Sequence, residues 1–323
     1  MPAANRHVGE IRTPSTALGG VTVRVPAKVN LQLAVGPLRE DGYHDLVNVF
    51  HAVSLFDEVT ATEPADPGAG PITVKVLGES ADEVPLGEDN LAVRAAKALA
   101  AAAGRTYRAD LLIHKTIPVA GGMAGGSADA AGALVACNEL WGLGLPREDL
   151  MEIAADLGSD VPFALLGGTA IGTGRGERLT PLETSGTFHW VFALAEGGLS
   201  TPRVYGECDR LRAAAEAGVP EPAASEPLLA ALRTGDAEAL GRALANDLQP
   251  AALSLRPDLA RTLDAGRALG ALGAIVSGSG PTCAFLARSG EHAAELATRL
   301  ADSGVCRSAV TAVGPVEGAA LVP

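Results

Sequence analysis

Lysine is scarce in this chain. Of 25 basic residues among 323, only four are lysine: Lys28, Lys75, Lys97 and Lys115. Arginine supplies the rest, and with abundant alanine and glycine this carries the imprint of GC-rich coding, so each remaining lysine is weighed for a role. None of the four follows a glycine. The Walker A loop G-x-x-x-x-G-K-[ST] is therefore absent, which excludes a P-loop nucleotide site. The dinucleotide fingerprint G-x-G-x-x-G fails as well, because its best frame puts Ala120 where the first glycine should stand. There is no H-R-D or D-F-G of a protein kinase. H-E-x-x-H is missing and the six histidines are scattered, so no protein-built zinc site is expected.

Positive charge is also in short supply. A net charge of −13 argues against nucleic acid as the main partner. It leaves nucleotides open, because a local cradle of backbone amides holds phosphate without net positive charge. No apolar run approaches the ~18 residues of a membrane-spanning helix, so no membrane is expected. The four cysteines (Cys137, Cys208, Cys283, Cys306) lie far apart with no C-x-x-C, which argues against a metal cluster or a disulfide framework. They read as reduced thiols of a cytoplasmic protein. Residues 1–20 lack the apolar stretch of a secretory signal and are expected to form a mobile tail.

With 47% apolar and 20% charged residues the composition is globular. The length fits two domains, expected at 21–187 and 188–323. Strands alternate at Val21 to Val25 and at Leu31 to Val35, with Pro26-Ala27-Lys28-Val29-Asn30 interrupting as an edge or bulge. Gly36 to His44 reads as a turn-rich loop with Asp41-Gly42 as hairpin chemistry. Strands follow at Val47 to Leu55 and Ile72 to Val76, separated by a Glu63–Pro71 loop. A helix from Leu91 to Ala103 is N-capped by Asn90. Ala130, Leu134, Cys137 and Trp141 mark one apolar stripe of a buried helix. Another helix spans Glu148 to Leu157, and Gly158 to Phe163 reads as its terminating loop. Trp190 to Ala195 opens the second half. Helices are expected from Thr201, at Leu228 to Leu232, Ala237 to Leu248, Asp258 to Leu269 and Glu291 to Ala301, with a linker from Gly218 to Pro227. Strands flank the turn at Ser277 to Thr282, and a last one runs from Ser308 to Val313. The pattern is mixed α+β in two halves.

The most informative stretch is Pro118 to Ala131, P-V-A-G-G-M-A-G-G-S-A-D-A-A. Gly121, Gly122, Gly125 and Gly126 lie between an apolar strand and an Ala-rich helix. A glycine loop opening into a helix start presents free N–H groups at the positive end of the helix dipole, a site for phosphate. Ser127 there is a helix cap, a ligand, or both in different states. Asp129 reads as a first-turn carboxylate favoured by the dipole.

This loop resembles the second motif of the GHMP kinase superfamily. V-P-A-K-V-N-L at Val25 to Leu31 is similar to the first motif and S-G-S-G-P-T at Ser277 to Thr282 to the third, in the expected order. R-E-D-G-Y-H-D-L (Arg39 to Leu46) and L-G-S-D-V-P-F (Leu157 to Phe163) resemble the branch that phosphorylates a tertiary 2-hydroxyl on a cytidine diphosphate sugar alcohol in non-mevalonate isoprenoid synthesis. The resemblance implies a two-domain α+β GHMP kinase fold, with a ribosomal protein S5 domain 2-like first half and a ferredoxin-like second half. It implies ATP as phosphoryl donor, Mg²⁺ carried by ATP, no metal bound by the protein alone, and a monomer or homodimer. Rival readings are a mevalonate- or homoserine-type kinase of the same superfamily, and a binding protein of this fold without catalysis.

A tertiary alcohol must lose its proton as it attacks, so a base has to stand within hydrogen-bond reach. By residue type alone Asp160 is equally a turn cap, and Lys28 is a surface lysine. The resemblance makes Asp160 the base and Lys28 its cationic partner. It gives the phosphates to the loop (Pro118, Ala120, Gly121, Gly122, Met123, Ala124, Gly125, Gly126, Ser127) and puts Asn90 and Lys115 near the adenine. Both of the latter look like ordinary surface positions on their own. The substrate falls to Asn30, Tyr43, His44, Thr201 and Tyr205, with Tyr43 and Tyr205 as stacking faces and His44 at the pyrimidine edge. Gly278 and Gly280 are expected to let the C-terminal turn pack closely against the site.

Overall fold

The computed structural model describes residues 20–64, 71–216 and 218–323. Residues 1–19, where the tail is expected, residues 65–70 of the Glu63–Pro71 loop, and Ala217 lie outside the described residues. Alternating valines form β1 (Val21–Leu38), and the Asp41-Gly42 turn, with Gly42 at φ 81°, reverses the chain into β2 (His44–Thr62). Their antiparallel register slips between Pro26 and Ala27 and again between Asn30 and Gln32. The expected irregularity is thus a pair of bulges within one long strand. Between them, Ala27 and Val29 point into the core, while Lys28 and Asn30 share the opposite face.

Next come β3 (Ile72–Gly78), α1 (Leu91–Ala102), β4 (Ala109–Lys115), α2 (Gly125–Leu140), α3 (Arg147–Leu157), α4 (Val161–Leu166), β5 (Thr169–Gly174) and β6 (Arg178–Pro181). Helix α2 is buried on nearly every side, from Ala128 to Cys137, because α1, α3 and α4 enclose it against β1 and β2. The single stripe read from the sequence understates this, and Trp141 lies just past the helix as its C-cap, stacked on Tyr107. A Cβ on Gly132 would sit 2.6 Å from Val59 Cγ2, so the missing side chain lets α2 lie directly on the sheet. Gly158 to Phe163 is not wholly a loop: the short helix α4 starts at Val161, with Pro162 in its first turn.

The second half contains β7 (Phe188–Leu194), α5 (Thr201–Ala214), α6 (Glu226–Thr234), α7 (Ala237–Ala243), β8 (Ala245–Asn246), α8 (Gln249–Leu255), α9 (Asp258–Ala268), β9 (Gly273–Val276), β10 (Cys283–Ala287), α10 (Gly290–Asp302), β11 (Ser308–Gly314) and β12 (Ala320–Leu321). Pro227, expected in the linker, stands in the first turn of α6. The helix expected from Ala237 to Leu248 stops at Ala243. Asn246 draws the chain away, its amide donating to Val276 O (2.8 Å) and Gly278 O (2.7 Å), and Pro250 begins a new helix. One sheet runs β11-β7-β10-β9 with every pair antiparallel. Counted along the chain within this sheet, the fourth, first, third and second strands lie side by side, the ferredoxin-like order.

The other sheet runs β12-β1-β2-β4-β3, with β5 and β6 extending from β2. Strand β12 covers the free edge of β1 at Val23–Arg24, and β8 covers it at Gln32–Leu33. The edge between those two patches takes the glycine loop instead: Lys28 N donates to Met123 O at 3.3 Å. The site opens at that gap. Among the described residues, no helix is long and apolar enough to cross a membrane.

Candidate active site

The glycine loop is built from left-handed backbone at alternate positions, with φ 50° at Ala120, 76° at Gly122 and 62° at Ala124. Such alternation gathers successive N–H groups into an anion-binding concavity. Positive φ at two alanines is strained, the kind of strain that concentrates at functional sites. A Cβ at Gly122 would lie 2.1 Å from Ser277 O, so only glycine fits where loop and C-terminal turn touch.

Three successive loop carbonyls, from Gly121 to Met123, are engaged from behind. Thr282 N donates to Gly121 O (3.4 Å), Lys28 Nζ (2.9 Å) and Ser277 Oγ (3.1 Å) both donate to Gly122 O, and Lys28 N donates to Met123 O. Among the described residues, no N–H from Gly121 to Ser127 donates a hydrogen bond. Carbonyls held behind and amides left free in front describe a receptor for an anion. Ala124 occupies the cap position of α2, so Ser127 sits in the helix's first turn and is not the cap. The Met123 side chain is fully buried and anchors the loop.

Lys28 is 6% exposed. Its ammonium donates to Asn30 Oδ1 at 2.6 Å and lies 3.9 Å from Asp160 Oδ2. Burial lowers the Lys28 pKa from the ordinary lysine value, and the charge of Asp160 partly restores it. Asn30 Nδ2 passes the network on to Asn48 Oδ1 at 2.8 Å. Asp160 stands at the N-cap position of α4, but its side chain makes no capping bond and is about one-third exposed. The turn-cap reading therefore falls, leaving a carboxylate aimed at Lys28.

On the other side, Thr201 Oγ1 lies 2.9 Å from Ser279 Oγ, tying α5 to the C-terminal turn. Gly278 and Gly280 have φ of 55° and 83°, and a Cβ on Gly278 would come within 3.2 Å of Lys28 Nζ, so the turn does pack closely as expected. His44 and Tyr205 rings are 5.2 Å apart, and His44 Nε2 is 2.9 Å from Asp209 Oδ1. Burial first, and the charge of Asp160 second, push the Tyr205 phenol up. Tyr43 stands apart from His44 and is 53% exposed, with the Arg175 guanidinium 5.2 Å from its ring centroid.

Two expected nucleotide residues are not the surface positions their types alone imply. Asn90 is buried as the cap of α1, its Oδ1 accepting from Ala92 N and Val93 N and its Nδ2 donating to Pro85 O. Lys115 lies under the loop, donating to Asp57 Oδ2 and, at 2.8 Å, to Asp129 Oδ2. Asp57 Oδ1 also accepts Thr116 N (2.6 Å) and Ile117 N (2.8 Å), which fixes the exit of β4 into the loop. Asp129 lies beyond the first turn of α2 and pairs with this lysine, so the dipole reading is replaced by a buried ion cluster. Asp57 escaped the sequence reading; an acid at an inward position of the strand V-S-L-F-D-E-V and a scarce lysine were the signals for it.

Two carboxylates sharing one ammonium cannot both ionise freely. Burial opposes the Lys115 ammonium, yet Asp129 and Asp57 outweigh it and raise its pKa. Burial pushes Asp129 up to about 7, with Lys115 opposing and Asp57 adding. Asp129 Oδ1, without a hydrogen-bond partner among the described residues, is the oxygen for that proton. A carboxyl with a raised native pKa makes the native state bind more protons than the unfolded one between ~4 and that value, so its contribution to stability falls as pH rises through this window. Asp129→Asn is expected to remove that decline. Urea unfolding of both proteins across the window reads it as an advantage of the variant that grows with pH; a pH-independent difference would mean that the pair is already fully ionised.

The matches to known proteins agree with this geometry. The GHMP kinases N terminal domain matches residues 90–168, and the GHMP kinases C terminal domain matches residues 228–306. The chain is 63% identical over 305 residues to the 4-diphosphocytidyl-2-C-methyl-D-erythritol kinase of Thermobifida fusca, covering 94% of this chain and 98% of that one. A crystal structure of 4-(cytidine 5'-diphospho)-2C-methyl-D-erythritol kinase superposes with a TM-score of 0.73 at 34% identity, covering 90% of this chain and 98% of that one. The homoserine kinase of Cytophaga hutchinsonii superposes with a TM-score of 0.74 over 97% of this chain and all of that one, but at 19% identity, which speaks for the fold alone. The chain belongs to the GHMP kinases, in the 4-diphosphocytidyl-2-C-methyl-D-erythritol kinase family.

Proposed function

We propose that this chain transfers the γ-phosphate of ATP to the 2-hydroxyl of 4-diphosphocytidyl-2-C-methyl-D-erythritol, in the cytoplasmic synthesis of isoprenoid precursors. The observation that carries this reading is the meeting of three distant segments: the forward-facing amides of Gly121 to Ser127, the Lys28 ammonium and the free Asp160 carboxylate. Phosphoryl transfer asks the protein mainly for positioning and charge compensation, and these are the parts supplied.

The loop amides and the first turn of α2 hold the β- and γ-phosphates, with the Ser127 hydroxyl within the same turn. Mg²⁺ carried by ATP would offset phosphate charge there, next to the Ser127 hydroxyl. Asp160 accepts the proton of the tertiary hydroxyl as its oxygen attacks phosphorus. Lys28, held by Asn30 and the Gly122 carbonyl, supplies positive charge where the transferred group gathers negative charge. Tyr43 and Tyr205 offer stacking faces to the cytosine, and His44 its edge contact. Asn30, Thr201 and the C-terminal turn line the diphosphate and polyol path. Asn90 and Lys115 act near the adenine by shaping the start of α1 and the exit of β4, since their polar ends are already engaged.

A coupled ADP-release assay with ATP, Mg²⁺ and the cytidine diphosphate substrate tests the whole reading. ADP should appear in step with phosphorylated product, and mevalonate or homoserine should give none; no ADP above background with the cytidine substrate would reject it. Base–aromatic stacking is worth ~1–3 kcal/mol, so Tyr43→Ala should raise KM for that substrate about tenfold and leave kcat unchanged. An unchanged KM would remove Tyr43 from the pocket.

A further inference from the structure

We propose that Asp209 fixes the tautomer of His44, and so makes the base pocket accept an amino group and refuse a carbonyl at position 4 of the pyrimidine. This rests on the reading of the site as one for a cytidine diphosphate substrate. His44 is the first residue of β2 and is buried; Asp209 lies on α5, one helical turn beyond Tyr205. The 2.9 Å contact joins His44 Nε2 to Asp209 Oδ1. A carboxylate only accepts, so Nε2 carries the hydrogen. In a neutral imidazole the other nitrogen is then an acceptor. His44 Nδ1 makes no hydrogen bond among the described residues, and Tyr205 lies against the ring, 5.2 Å between centroids at 31°. Backbone pairing of His44 with Leu38 fixes where the ring starts.

An acceptor at Nδ1 has one consequence for base choice. Cytosine presents its 4-amino group as a donor and pairs with it. Uracil presents a carbonyl at the same position, which sets two acceptors against each other and leaves both unpaired. The nearest donor of uracil, N3–H, is one ring position away, so using it would slide the base along the pocket and off its aromatic faces. Sites built to bond a particular polar group reject the analogue lacking it far more strongly than apolar pockets discriminate by size. Asp209 touches no substrate in this scheme; it is a positioning residue acting through His44.

The test has two readouts. Imidazole ¹⁵N shifts at neutral pH, with His44 assigned by its loss in the His44→Gln variant, report the tautomer without any substrate. The wild type should show hydrogen on Nε2 and a bare Nδ1, and Asp209→Ala should show a mixture. Hydrogen on Nδ1 in the wild type, alone or with both nitrogens protonated, overturns the proposal. The second readout is the ratio of kcat/KM for the cytidine substrate to that for its uridine counterpart, which should fall by about tenfold or more in Asp209→Ala, through KM for the cytidine form, with kcat retained. An unchanged ratio overturns the assignment to Asp209. A wild type that phosphorylates the cytidine substrate not at all overturns the functional reading itself, a result distinct from either of these.

Discussion

Asp160→Ala is expected to lower kcat by about 10²- to 10⁴-fold, the usual contribution of a positioned general base. ATP affinity, followed by titration with a fluorescent nucleotide, should hardly change, because among the described residues the carboxylate makes no hydrogen bond to the glycine loop and leaves α4 uncapped. The helix itself should survive the substitution. Its start is held by Val161, Pro162 and Phe163, all buried, so the protein should unfold at nearly the wild-type denaturant concentration. Separating turnover from stability in this way is what distinguishes a base from a structural acid. If kcat stayed near the wild-type value, Asp160 would have to be dropped as the base.

Lys28→Met is expected to cost about 10²- to 10³-fold in kcat, the scale seen when one charge-stabilising donor is removed. It should also destabilise the fold, unlike Asp160→Ala. The ammonium is a buried donor to both Asn30 Oδ1 and the Gly122 carbonyl, and its loss leaves those acceptors short. Urea unfolding should therefore shift by ~1–3 kcal/mol. Because the lysine and the carboxylate work on one transferring group, the Lys28→Met/Asp160→Ala double variant should be little slower than the worse single variant. Multiplying penalties would mean that the two residues serve separate steps.

Much of this site was legible in the chain. Three glycine-bearing or lysine-bearing motifs named the parts; scarcity flagged all four lysines alike, and only the family resemblance set Lys28 and Lys115 apart. Several strands and the turns at Asp41-Gly42 and Ser277 to Thr282 were also legible from period-two alternation, whereas the order of strands in each sheet is set by long-range pairing. What escaped was decided by contacts across long stretches of chain. Ser127 looked like a cap because serine caps helices, but Ala124 adopts φ 62° and starts α2 earlier. Asp129 looked like a first-turn acid favoured by the dipole, but Lys115, itself paired with Asp57, claims it from β4. The helix after Ala237 ran too far in the sequence reading because alanine and leucine propensity favour helix, whereas Asn246 is bound to the β9 end and the turn after it. His44 was recognisable as a pocket residue; its partner Asp209 was not, since 165 residues separate them.

The Gly122 carbonyl accepts from Lys28 across 94 residues and from Ser277 across 155. One backbone oxygen is therefore a shared handle for both halves of the chain. The turn at Ser277 to Thr282 cannot move without moving that oxygen, and the lysine that holds it must follow or let go. The second half thereby shares its anchor point with the Lys28 ammonium.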